Sequence, residues 1–169
     1  ARLRHSQAAI EDVDYRTPRR LDKALFQQLA TSRWVADHRH LLVTGPCGVG
    51  KSWLSCALAQ KACRDGYTVH YARVPRLFAD LDLAHGDGRF VRLFRMLVKV
   101  DLLVLDDWGP DRLSASNRRD LMEIVEDRYG RGSILITSQL PVAAWLEVIA
   151  EPTVGDAILD RIVHNAYRL

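Results

Sequence analysis

Residues 41–54 read LLVTGPCGVGKSWL, and this stretch decides the fold. Leu41, Leu42 and Val43 form a short continuous apolar run, as a strand buried on both faces of a parallel sheet requires. Gly45, Gly48 and Gly50 follow, then Lys51 and Ser52, which matches the phosphate-loop (Walker A) pattern G-x-x-x-x-G-K-[ST]. Glycines let the backbone turn sharply and bring successive N–H groups close to phosphate oxygens. Lys51 supplies a point charge for the β/γ-phosphates, and the Ser52 hydroxyl is placed to ligate Mg²⁺. A helix starting at Lys51 directs its positive dipole end at the same anion. Gly45, Pro46, Cys47, Gly48, Val49, Gly50, Lys51, Ser52 and Trp53 are therefore the candidate nucleotide contacts.

Downstream, residues 101–109 read DLLVLDDWG, an apolar strand that ends in two acids. Acids often cap strand ends, but after a phosphate loop this is a Walker B pattern. Asp106 ends the apolar run, where it can hold Mg²⁺ together with Ser52. Asp107 follows, placed to orient or deprotonate an attacking water. A further buried strand, SILITSQ at Ser133–Gln139, has polar residues at its carboxyl end. In an open parallel sheet that end lines the ligand crevice, where a polar side chain can sense a phosphate or position water.

The totals suit this reading. A chain of 169 residues accommodates one domain with a real core. Apolar content of 48% and charged content of 27% are ordinary for a globular chain. The net charge of +3 is mild, so nucleic-acid affinity requires local clustering. There is no membrane-length apolar run and no signal-peptide pattern at the start. Cys47, Cys56 and Cys63 include no C-x-x-C pair, which points to reduced thiols and a cytoplasmic location.

Residues 1–20 are polar and basic and read as a linker or arm, with Ile10, Val13 and Tyr15 able to pack on the domain. Because the chain lacks an initial Met, it is expected to be part of something longer. Apolar spacing predicts one helix over Leu21–Asp37, another over Lys51–Asp65 stopped by Gly66, and a strand at Thr68–Val74. Pro75 opens a helix to about Ala84, and His85–Arg89 reads as a loop. Over Arg89–Val100, Phe90, Val91, Phe94, Leu97 and Val98 share one side; Arg89, Arg92, Arg95 and Lys99 share another. That basic row is either a solvated face or a phosphate-backbone contact. Ser114 caps a helix to Tyr129, Pro141–Ile149 and Gly155–His164 read as helices that leave Arg161 pointing outward, and Asn165–Leu169 begins a last strand.

GPCGVGKS, DLLVLDDWG, SILITSQLP and DAILDRIVHNAYRL, in that order and spacing, resemble an AAA+ ATPase, and within it the IstB branch, close to the DnaC-type helicase loaders. The resemblance spans about Asp12 to Leu169 and implies an α/β fold: a P-loop αβα sandwich with a five-stranded parallel sheet and a strand separating those that carry Walker A and Walker B. It also implies ATP/ADP and Mg²⁺ as ligands and self-association into a ring or filament. By the family pattern Gln139 is the sensor, and Arg161, in DRIVH, is the arginine finger toward a neighbouring subunit's γ-phosphate. Asp107 stands where many AAA+ proteins have Glu, so turnover is expected to be slow until a partner adjusts the site. A lid and an amino-terminal helical domain are not evident in residues 1–169, and the segment around Asp14–Arg16 is expected beside the adenine.

The function expected is an ATP-dependent helper of DNA transposition that assembles on duplex DNA and recruits or stimulates a transposase. Arg73, Arg76, Arg89, Arg92, Arg95 and Lys99 are its candidate DNA contacts. The rivals are a replicative helicase loader, a small-molecule kinase and a nucleotide-gated binding module. The kinase reading lacks a lid-like insertion, and the two acids favour water activation.

Overall fold

Apolar runs separated by helical patterns become five parallel strands: β1 (His40–Thr44), β2 (Val69–Arg73), β3 (Leu102–Trp108), β4 (Ser133–Ser138) and β5 (Ala166–Arg168). The computed structural model describes residues 3–16, 21–109 and 111–169. Its sheet order is β2-β3-β4-β1-β5, so β4 separates the phosphate-loop strand from the strand with the two acids. The register brings the carboxyl ends of β1 to β4 to one edge, pairing Thr44 with Ser138 and Arg73 with Asp106. That edge is where an open parallel sheet offers a crevice.

Both faces of the sheet are covered, and the two-residue period of the strands assigns each side chain to a layer. Leu41, Val43, Leu102, Val104 and Leu135 pack with α1 (Lys23–Leu29), α2 (Arg33–Ala36) and α3 (Lys51–Arg64). Leu42, Leu103, Leu105, Ile134 and Ile136 pack on the other face. There they meet α4 (Val74–Asp87), α5 (Phe90–Lys99), α6 (Ala115–Arg128), α7 (Trp145–Ile149) and α8 (Pro152–Val163). None of the helices among the described residues is long and apolar enough to cross a membrane. The cysteines are free thiols; Cys56 is buried, and Cys47 and Cys63 are exposed.

Several boundaries differ from the sequence expectations. The helix expected over Leu21–Asp37 is two, because Ser32 turns into the left-handed region (φ 59°) between α1 and α2. The loop expected at His85–Arg89 is mostly helical: α4 runs to Asp87, and Gly88 ends it at φ 81°. His85 supports that last turn, bonding buried Asp120 at 3.0 Å and stacking on Phe90. Val91, placed with the apolar side, is 63% exposed, and only Leu97 of α5 is fully buried. The Pro141–Ile149 helix divides into a 3-10 turn (Val142–Ala144) and α7. Helix α8 starts at Pro152 rather than Gly155, because the Glu151 carboxylate accepts from the Thr153 and Val154 amides. Of the expected arm, residues 1–2 and 17–20 lie outside the described residues; Ala8 and Val13 are buried.

The amino-terminal edge of the sheet is held by two buried polar residues. Arg128, at the end of α6, is 0% exposed and donates to the carbonyls of Leu97, Val100, Asp101 and Ser133. It therefore ties the end of α5 to the starts of β3 and β4, while burial lowers its pKa to about 10. Gly132 has no room for a side chain, since a Cβ there falls 2.6 Å from Arg128 Nη2. His40, at the start of β1, accepts at Nδ1 from the Ile134 amide (3.0 Å). Burial, with the Arg128 charge adding to it, lowers the His40 pKa to about 4.

Two outcomes follow. Arg128→Met is expected to leave buried carbonyls unpaired and cost roughly 3–5 kcal/mol, lowering the thermal midpoint by on the order of 10 °C. His40 is neutral in both states at neutral pH; below about pH 6.5 the unfolded chain protonates it, whereas the native fold resists until about pH 4. Stability is therefore lost across that window, by up to roughly 3 kcal/mol. Denaturant titrations at several pH values are expected to show this loss, shallower in His40→Gln.

Candidate functional site

The phosphate loop leaves β1 at Thr44 and enters α3 at Lys51. Gly48 (φ 86°) and Gly50 (φ 85°) take left-handed conformations that a side chain would strain, and Gly50 caps α3. The 14-residue helix aims its amino end at the loop. Lys51 Nζ donates across the loop to the Pro46 carbonyl at 2.8 Å. Cys47, Gly48, Gly50, Lys51, Ser52 and Trp53 all line one open pocket of about 460 Å³, shared with Asp106 and Asp107.

Asp106 is the centre of the pocket floor. It is 0% exposed, and an ionised carboxylate so placed needs donors. Ser52 Oγ lies 2.9 and 3.0 Å from its two oxygens, and the hydroxyls of Tyr71 (β2) and Thr137 (β4) also donate to it. Burial and that same bond raise the Tyr71 pKa, so Tyr71 stays a donor. Ser52 and Asp106 are hard oxygen donors on adjacent elements, which suits Mg²⁺ with its other ligands from phosphate and water. Among the described residues no cluster of three or more His, Cys, Asp or Glu could hold a metal alone.

Asp107 reaches the pocket through an irregularity in the strand. The β3–β4 register runs from Leu105 opposite Ile136 to Trp108 opposite Ser138, so β3 carries one extra residue. Asp107 takes it up at φ 69°, a conformation Asp tolerates better than most residues. Leu103, Leu105 and Trp108 consequently share the α4–α6 face, although simple alternation would have put Asp107 there. The Asp107 amide donates to Thr137 Oγ1 at 2.8 Å, and its carboxylate pairs with Arg73 at 3.1 Å. Asp106 thus faces Ser52 and the phosphate-loop helix, while Asp107 stays partly open to solvent.

The structure brings together some candidate residues and separates others. Gln139 is exposed and lines the pocket, but Thr137 is the side chain on that strand that touches both acids. The polar carboxyl end of SILITSQ was a sound signal; only the three-dimensional register selects among its residues. Tyr71 had no signal beyond the alternation of β2. Arg161 is partly exposed and paired: it bonds the partly exposed Glu126 at 2.7 Å and the Ala157 carbonyl at 3.0 Å. Of the basic set, Arg73, at the end of β2, lines the phosphate-loop pocket and also a groove shared with Arg76 and with Leu93 and Met96 of α5. Arg76 pairs with Asp80 and Arg89 with Asp87. Arg92, Arg95 and Lys99 do share one exposed groove, together with Thr68 and Met96. In the segment expected near the adenine, the Tyr15 ring packs edge-to-face with Phe26.

Comparison with known proteins accords with this geometry. The family model described as IstB-like ATP binding protein matches residues 1–169. Two insertion sequence ATP-binding proteins of Sinorhizobium fredii are 62% and 47% identical over 100% and 98% of the chain, which spans 69% and 66% of their lengths. A protein named for ATP binding in insertion sequence IS1162 of Pseudomonas fluorescens is 49% identical over 83% of the chain and 61% of its own length. Among solved structures, DnaI superposes with a TM-score of 0.82 at 24% identity, covering 96% of this chain and 90% of that one. The DnaC helicase loader gives 0.79 at 20% identity, covering 98% and 97%. At those identities the likeness speaks for the fold alone.

Thr137→Val keeps the shape but removes the hydroxyl that serves both acids. It is expected to cost about 1–3 kcal/mol in urea unfolding, with Thr137→Ser restoring most of it. Equal stability of all three proteins would remove Thr137 from this role.

Proposed function

The chain belongs to the IstB-like ATP binding protein family, and from that premise we propose that it is an ATP-hydrolysing helper of DNA transposition, acting in the cytoplasm. It assembles on duplex DNA as a ring or filament and recruits or stimulates a transposase. The observation that carries the reading is the pair of acids beneath one phosphate loop: Asp106 is buried against Ser52, and Asp107 is turned into the open pocket. The relatives' names, which tie them to ATP and insertion sequences, support the biological setting.

In this mechanism the loop amides from Cys47 to Ser52 and the Lys51 ammonium hold the phosphates. Ser52 and Asp106 would hold Mg²⁺, which would supply positive charge to offset that of the phosphates. Asp107 accepts a proton from the attacking water, with Arg73 and Thr137 fixing its position. Gln139 acts at the rim as the sensor. Arg161 serves the site of a neighbouring copy, and to do so it leaves Glu126. Arg92, Arg95 and Lys99 meet the DNA backbone, and Arg76 and Arg89 flank them.

Equilibrium binding of a fluorescent ATP analogue tests the site. Lys51→Ala is expected to lose at least about tenfold in affinity, while Asp107→Asn binds normally and loses about 100-fold or more in hydrolysis. Light scattering with ATP and duplex DNA is expected to show large assemblies, weakened in Arg161→Ala. A particle that stays monomeric, and turns over ATP only with a small acceptor, would overturn the reading in favour of a kinase. For the DNA surface, changing Arg92, Arg95 and Lys99 together to Glu is expected to flatten the slope of log affinity against log salt by roughly 3. An unchanged slope removes that assignment.

A further inference from the structure

The segment before the first helix crosses the outer side of α3 and is fastened there at several points. Ala8 is 2% exposed and packs with Cys56 and Ala57, and Leu3 packs on the same cluster beside Trp53 and Tyr71. The Ala8 amide donates to the His5 carbonyl at 3.0 Å, closing a turn over residues 5–8. Farther along, Glu11 Oε1 accepts from Arg64 Nη2 at 2.8 Å, and Val13 is buried. These anchors hold the backbone on both sides of residues 4 and 5.

Their side chains line the nucleotide pocket. Arg4 Nη1 stands 4.0 Å from Asp106 Oδ2, beyond hydrogen-bond distance, with the Arg4 side chain 49% exposed. The Asp106 carboxylate already accepts from Ser52, Tyr71 and Thr137. Arg4 therefore adds little to holding Asp106, and most of its five-donor fork faces the open pocket. The charges sharpen the point. Arg73 is paired with Asp107, and Asp106 is satisfied by hydroxyls, so among the described residues Lys51 and Arg4 face the cavity as cations without a hydrogen-bonded carboxylate. Lys51 stands at the loop, whereas Arg4 stands beside the acid proposed to hold Mg²⁺, at the end where a terminal phosphate comes to rest. An arginine fork suits phosphate oxygens better than a distant, saturated carboxylate.

We infer that Arg4 is a phosphate-contacting residue, supplied by the arm of the same chain, that reads the terminal phosphate of a nucleoside triphosphate and couples it to docking of the arm on α3. This rests on the reading of Gly45–Ser52 as an ATP-binding loop. Its consequence is directional: a triphosphate tightens the arm, and a diphosphate, too short to reach Arg4, does not.

The test measures binding of a non-hydrolysable ATP analogue and of ADP, each with Mg²⁺, to the full chain and to Arg4→Ala, Glu11→Ala and Lys51→Ala. Amide hydrogen exchange over residues 3–12 is followed in parallel. Arg4→Ala is expected to lose about tenfold or more for the triphosphate and to bind ADP as before. Glu11→Ala, which loosens the arm outside the pocket, is expected to show a smaller loss confined to the triphosphate. Exchange in residues 3–12 slows with the triphosphate in the unaltered chain but not in Arg4→Ala. Unchanged affinities, an equal loss for both nucleotides, or tighter Mg²⁺-triphosphate binding in Arg4→Ala would each overturn the inference; the last would mean that Arg4 merely competes with the metal for Asp106. Lys51→Ala separates the two levels: if it binds both nucleotides as the unaltered chain does, the phosphate-loop reading falls, and Arg4 falls with it.

Discussion

A carboxylate with no solvent exposure sits at the carboxyl edge of the sheet, and the surrounding elements are arranged to satisfy it. Asp106 takes hydroxyl hydrogen bonds from Ser52 on α3, Tyr71 on β2 and Thr137 on β4. Leaving such a group unpaired costs several kcal/mol, so the three donors bind the phosphate-loop helix and both neighbours of β3 to one point. The strand order accounts for their reach: β3 lies between β2 and β4, and α3 packs over the same face.

The extra residue in β3 is the second constraint. Regular alternation would bury Asp107 among Leu103, Leu105 and Trp108; with Asp107 at φ 69°, that carboxylate instead meets Arg73 beside the pocket. Thr137 joins the two features, because its hydroxyl donates to one acid and accepts from the backbone of the other. One acid is thereby sealed and the other left partly open, although they are adjacent in sequence and chemically identical. The opposite edge of the sheet is closed by different chemistry: the Arg128 fork and the neutral His40 ring satisfy backbone groups where β3, β4 and β1 begin. Polar networks at both edges thus frame an apolar interior and fix the register in which the site residues meet.

Much of this was legible in residues 41–54 and 101–109, because a phosphate loop and an acid-tipped strand are local patterns whose chemistry depends on spacing along the chain. Five strands, their approximate limits, the Gly66 stop, the Ser114 cap and the pairing of Ser52 with Asp106 could all be anticipated from such patterns. The expectations that failed turned on backbone conformations and contacts that periodicity does not encode. His85 continues α4 because Asp120 and Phe90 hold it, Ser32 turns into the left-handed region and breaks a helix that periodicity alone would continue, and the Glu151 carboxylate starts α8 early.

The sequence by itself therefore determined the fold class, the phosphate loop, the two acids and the family to which the chain belongs, since each is encoded by residue type at short spacing. Only the tertiary structure decided that Thr137 and Tyr71 support Asp106, that Arg73 pairs with Asp107 in the pocket, and that Arg4 arrives there across α3. The physical reason is common to all four. Which donor meets a buried or half-buried charge depends on strand order, on register and on one extra residue in β3, and each of these arises from packing between segments that the chain keeps far apart.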